Sequence, residues 1–111
     1  MSVVVPVYDL TSDGVVISNP DTASGDEMVV ENNDGNVILI IRNPTGTDGL
    51  FLELVPQATV IGLNYVSPQV IVDAGKTVAT RPLPPAVYNR SDGAAIVSDP
   101  SGDLLVYGLR Y

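Results

Sequence analysis

Asn33-Asp34-Gly35-Asn36-Val37-Ile38-Leu39-Ile40-Ile41-Arg42-Asn43 joins a turn signal to five consecutive apolar residues. Val37, Ile38, Ile40 and Ile41 are β-branched and suit a pleated surface. The run is far too short to cross a bilayer. A strand with one wet face alternates apolar and polar residues, and this run does not. Val37, Leu39 and Ile41 point one way, Ile38 and Ile40 the other. Both faces are therefore expected to be dry, as in the central strand of a β-sandwich. One face makes the core; the other is covered by a second layer of the chain or by another subunit.

The flanks support an all-β chain. Asp-Gly pairs at Asp13, Asp34, Asp48 and Asp92 separate short apolar runs, the strongest local hairpin signal. Strands are expected within Ser2–Tyr8, Val15–Ser18, Glu27–Glu31, Leu50–Val55, Gln69–Val72, Thr77–Thr80, Ala94–Ser98 and Asp103–Tyr111, while Thr59–Val66 reads as mixed, with Gly62 marking a bend. In the last of these, Leu105, Tyr107 and Leu109 share one face, and Leu104, Val106 and Gly108 the other. Pro82, Pro84 and Pro85 forbid helix in Arg81–Arg90 and make that stretch a rigid crossover on the sandwich rim. With no helical pattern, the fold class is a single antiparallel β-sandwich, jelly-roll-like or alternatively immunoglobulin-like, with no substantial helix. Residues 1–111 form one domain. Pro6 cannot donate to a ladder, so residues 1–8 are either an N-terminal arm or an edge strand.

The 111 residues carry a formal charge of −8, which argues against nucleic acid and anionic membrane as partners. The charge is uneven. Residues 1–55 hold nine acids and only Arg42 as a base, whereas residues 56–111 hold four of each. The plain reading of that asymmetry is solubility; the sharper one is an acidic end facing solvent and an arginine-bearing end meeting a partner. Neither cysteine nor histidine occurs, so thiolate chemistry and a Ser-His-Asp arrangement are excluded. The N-terminus lacks the basic and apolar regions of a signal peptide. Without one, Asn89-Arg90-Ser91 is discounted as a glycosylation acceptor. Ala74-Gly75-Lys76-Thr77 ends like a phosphate-binding loop, but Val70 stands where another glycine is required, so it reads as a turn. The acids of 19–27 do not have EF-hand spacing. A Pro-x-x-Pro ligand reading of 82–85 gives way to the crossover. No enzyme activity and no cofactor or metal are expected.

Assembly remains. A small chain with 45% apolar residues and few aromatics must cover its sheet edges and apolar patches with a partner. The candidate contacts with a partner or a second subunit are Val3, Val4, Val5, Ile38, Ile40, Arg81, Leu83, Tyr88, Arg90, Arg110 and Tyr111. An ion at Ile40 is expected to disrupt folding or oligomerisation, and Glu at Arg81 or Arg90 to weaken partner binding. Tyr65, Tyr88, Tyr107 and Tyr111 are the groups a carbohydrate-binding module would use.

Two stretches together resemble a known family. One is Gly25–Asn43, with Asn33-Asp34-Gly35-Asn36 and the aliphatic strand. The other is Asp73–Gly93, with Ala74-Gly75-Lys76-Thr77, Leu83-Pro84-Pro85-Ala86-Val87-Tyr88-Asn89 and Asp92-Gly93. Their order and spacing are similar to small β-sandwich head decoration, or cement, proteins of tailed bacteriophages. Members more often have Gly-Pro-Phe-Pro where this chain has Arg81-Pro82-Leu83-Pro84. The resemblance implies a protein made in the host cytoplasm and carried on the virion. It would bind the major capsid protein on the outer shell, often as a homotrimer. The alternatives are another virion β-module (head-completion, tail-tube or fibre-associated) and the carbohydrate-binding module.

Overall fold

The computed structural model describes residues 3–10, 22–56, 59–60, 63–64 and 68–111. The expected strand at 15–18 and the Asp13-Gly14 turn lie outside them. Two sheets pack against each other. The first contains β1 (Val3–Val4), β3 (Glu27–Val30), β10 (Ala95–Ser98), β5 (Leu50–Val55) and β8 (Gln69–Val72), in that spatial order. The second is β2 (Val7–Asp9), β11 (Leu105–Arg110), β4 (Val37–Arg42) and β9 (Thr77–Ala79). A short ladder pairs β6 (Thr59–Val60) with β7 (Leu63–Asn64). The fold is an all-β sandwich without a substantial helix.

The core lies between the sheets, and alternation decides who enters it. Val37, Leu39 and Ile41 of β4 and Val106 of β11 face Met28, Val30, Leu52, Val72 and Val97 of the first sheet, all fully buried. Fully burying one such side chain is worth about 1.5–3 kcal/mol, so this layer supplies most of the driving force. Gly108 sits on the same inner side. A Cβ there would stand 3.1 Å from Val7 Cγ2 and 3.2 Å from Val37 Cγ1. Gly108→Val is therefore expected to overpack the β2–β11–β4 contact and cost about 1–3 kcal/mol. Chemical denaturation would register it as a lower midpoint with an unchanged slope.

Buried asparagines anchor both ends of the 33–43 stretch. The Asn43 amide donates to Asp48 O (2.7 Å) and Val72 O (2.9 Å), and its Oδ1 accepts from Thr45 N (3.0 Å) and Oγ1 (2.7 Å). Asn33 Nδ2 donates to Leu83 O (3.1 Å) and Asn89 Oδ1 (2.7 Å), while Asn89 Nδ2 returns a bond to Asn33 O (2.7 Å). The Asn89 amide is thus engaged inside the protein. Asp99, also buried, accepts from Ser101 N and Oγ and from Leu104 N, and so fixes the turn between β10 and β11.

Several expectations change. The Asn32–Gly35 turn does not make a hairpin: β3 and β4 lie in opposite sheets. The Asp73–Lys76 turn, closed by Lys76 N donating to Asp73 O (3.0 Å), likewise carries the chain from β8 in one sheet to β9 in the other. This repeated crossing is jelly-roll-like. The sandwich is not wholly antiparallel, because β1 pairs parallel with β3, and β2 pairs parallel with β11. Pro6 stands between these two short strands, so residues 3–9 run along an edge of each sheet. Prolines do not exclude helix either. Pro85–Tyr88 forms one helical turn, α1, with Pro85 at the first position, where no N–H is needed. Gly35 lies beneath it, at φ +88°, and a Cβ there would meet Pro85 Cδ at 3.3 Å.

Finally, β4 is not dry on both faces. Val37, Leu39 and Ile41 are fully buried, whereas Ile38 and Ile40 are only half-buried. No second layer of the described residues makes them core.

Candidate interaction surface

The outward side of the four-stranded sheet follows from its register. Ile40 lies opposite Tyr107 and Ala79, Ile38 opposite Leu109, Leu109 opposite Tyr8, and Arg42 opposite Leu105 and Thr77. Directly opposed residues share a face. The outer surface thus carries Tyr8, Leu109, Ile38, Tyr107, Ile40, Leu105 and Ala79, all half-buried or exposed. These strand positions include no acid, although the chain has 13. Arg42 is the one charge on them, exposed and without an ion pair among the described residues. A soluble chain normally places polar residues at alternate outward positions of such a sheet. Here the apolar side chains support one another sideways, with the Tyr8 and Tyr107 rings edge to face at 6.0 Å and 86°. Sideways packing leaves their outer surface wet, and a contiguous apolar patch of this kind marks a contact site.

The candidate residues named from the sequence fall into three groups. Ile38 and Ile40 are on this face, and Leu105, Tyr107 and Leu109 join them. The alternation of the last strand already put those three on one side; their neighbours across the ladder could not be read from it. Val5 and Leu83, each 2% exposed, belong to the core and leave the contact set. The neighbouring prolines point to an arm or edge for Val5 and to the rim for Leu83, but both side chains lie in the sandwich core. Val4 (53% exposed) lies on the β1 edge, half-buried Val3 beside it, and Tyr111 (58%) follows β11. Ile71 on β8, at 68%, was not anticipated.

The arginines divide as well. Arg110 is a clamp within the chain. It donates to Asn32 O (2.7 Å), and its guanidinium lies 3.3 Å from Asp9 and 3.5 Å from Asp34, tying β2 to the turn before β4. Its Nε is buried and makes no well-aligned hydrogen bond, although Asp34 is near. Arg90 is occupied by Asp92, at 3.2 Å and 2.7 Å. The Ala94 N–H, and next the Arg90 side chain, hold the Asp92 carboxyl below its ordinary value of 3.8. A lowered carboxylate pKa stabilises the fold above the unfolded value and loses that contribution as pH falls through the folded one. Arg90→Gln should therefore move the Asp92 midpoint, followed by NMR, only part of the way back to 3.8, because the backbone bond remains. A full return would mean Arg90 alone sets it. Arg81 is exposed and has no ion pair among the described residues.

A cleft of about 490 Å³ opens at the side of the sandwich where β8 and β9 end the two sheets. Leu54 and Val70 form one wall; residues 79–84 with Val87 and Tyr88 form the other. Tyr88 therefore faces this cleft rather than the apolar sheet. Tyr107 is on the sheet, Tyr111 follows it, and Tyr65 lies outside the described residues, so Tyr88 is set apart from the other tyrosines named for a sugar site. No group of three or more His, Cys, Asp or Glu that could hold a metal occurs among the described residues. Compared with family models, curated proteins and solved structures, the chain matches none.

Proposed function

We propose that this chain is a non-enzymatic structural protein of a tailed-phage virion. It decorates and stabilises the outer surface of the capsid, and it binds through the outer face of β2-β11-β4-β9. The observation that carries this reading is the acid-free apolar surface of Tyr8, Ile38, Ile40, Leu105, Tyr107 and Leu109 on a strongly acidic chain. The capsid as partner rests on the resemblance of 25–43 and 73–93 to decoration proteins. Apolar surface supplies affinity by leaving water. The excess of acidic groups elsewhere limits adhesion to other polyanions. Self-association into a trimer would multiply weak contacts. Once one protomer is docked, the others engage intramolecularly, which raises avidity by about two to four orders of magnitude. Binding only the assembled shell then stabilises that shell by mass action.

Two measurements test this. Purified virions should contain the chain at a copy number approaching that of capsid subunits. A few copies, or sixfold and twelvefold numbers, would identify a head-completion or tail component instead. Heads made without the gene should lose integrity at lower temperature than complete heads. Equal thermal survival of the two would remove the cement role. Sedimentation of the free protein should give a species larger than 11.6 kDa.

A further inference from the structure

The cleft between the sheet edges has a chemistry of its own and meets the apolar sheet face only at Ala79. Leu54 and Val70 of the first sheet face Pro82, Val87 and Tyr88 across it. Leu54 is nearly buried at 8% exposure, so the opening reaches the core rather than lying on the surface. Every lining side chain is apolar except Thr80, Arg81 and the Tyr88 hydroxyl. Thr80 Oγ1 is already engaged by Leu39 N at 3.0 Å. Arg81 and the Tyr88 hydroxyl have no intramolecular hydrogen bond or ion pair among the described residues. No acid lines the cleft, although acids outnumber bases 13 to 5 in the chain.

We infer that this cleft is a binding site for a single apolar chain ending in a carboxylate, with Arg81 holding the carboxylate. The volume is in the range of small-molecule sites, which are mostly apolar with a few polar groups that fix orientation. An apolar tail gains by leaving water against Leu54, Val70 and Val87. A guanidinium presents paired donors that match a carboxylate, and the bond is charge-assisted. The Tyr88 hydroxyl is a second donor on the same lining. Other arginines of the chain are less suited: Arg90 and Arg110 are occupied by Asp92 and by Asp9 with Asp34, and Arg42 lies on a sheet surface rather than at a cleft.

The test is calorimetric titration of the full chain with decanoate, and with decyltrimethylammonium as a tail of equal length and opposite charge. Both are kept below their micelle concentrations. Decanoate should bind once per chain, at least tenfold more tightly than the cation. Arg81→Gln should erase that preference while leaving weak binding of both. Ala79→Trp, at an exposed position on the lining, and Val70→Trp should each block binding with circular dichroism unchanged; if Val70→Trp fails to fold, Ala79→Trp alone decides. NMR shifts on adding decanoate should fall on Leu54, Val70 and Val87. Three results would overturn the inference: no saturable decanoate binding, an anion preference that survives Arg81→Gln, or shifts confined to Ile38, Ile40 and Tyr107. None of these arms involves the shell, so their failure leaves the decoration reading untouched.

Discussion

Leu39→Asp is expected to yield no folded protein, while Ile40→Asp, one residue along, yields a folded protein that no longer associates. The two side chains point to opposite sides of the same strand. Leu39 is fully buried among Val37, Ile41 and the facing sheet. An unpaired carboxylate there costs several kcal/mol, comparable with the roughly 5–15 kcal/mol that holds a domain of this kind together. Ile40 is half-buried between Tyr107 and Ala79 on the outer face. Its replacement keeps the carboxylate in contact with water, so the cost to the isolated protomer should be about 1 kcal/mol. In an assembly the same carboxylate would be trapped against a dry surface, with a loss of about 2–4 kcal/mol in binding, or 30-fold to 1,000-fold. Circular dichroism and sedimentation together separate the outcomes. If Ile40→Asp also unfolds the chain, the outer face is part of the fold's own interior.

The second large effect is expected at Asn43. This fully buried amide makes four hydrogen bonds that join the end of β4 to the 45–48 loop and to Val72 in the opposite sheet. Asn43→Ala removes both donors and leaves Val72 O, in the sandwich interior, without this partner. Val72 stays paired with Leu50 in the ladder, so the cost is that of the lost buried bonds, about 0.5–1.5 kcal/mol each. The total should be about 2–4 kcal/mol, or a fall in melting temperature of roughly 10–25 °C for a chain of this size. Asn43→Asp should be at least as damaging, since a carboxylate cannot donate to Val72 O or Asp48 O and would face both as an anion. Wild-type melting of either variant would mean that this junction is not needed to hold the sheets together.

These effects were partly legible in the sequence. The unbroken run 37–41 identified β4, and its lack of polar residues identified Ile38 and Ile40 as unusual for an outward face. The alternation of 104–109 was equally plain. Turn chemistry was less informative than it looked. Asp34-Gly35 reverses the chain, but a turn does not state which sheet receives the next strand, and here the chain crosses over. Pro6 appeared as an edge breaker, and it separates two short strands that enter different sheets in parallel pairings. Pro85 signals against helix in the sequence, yet it opens one, because the first helical residue needs no donor. Arg110 looked like a partner contact from charge alone. Its tie to Asp9 depends on the pairing of β2 and β11, across 101 positions, and its ties to Asp34 and Asn32 O on the pairing of β11 with β4. The cleft has no sequence signature, since it arises where the 79–88 segment passes the end of β8.

The sheet face can be tested directly by co-sedimentation with phage heads assembled without this protein. Wild-type chain should pellet with the heads to saturation, and Ile40→Asp, folded by circular dichroism, should remain in the supernatant. Equal pelleting of the two would contradict the assignment of that face as the contact surface.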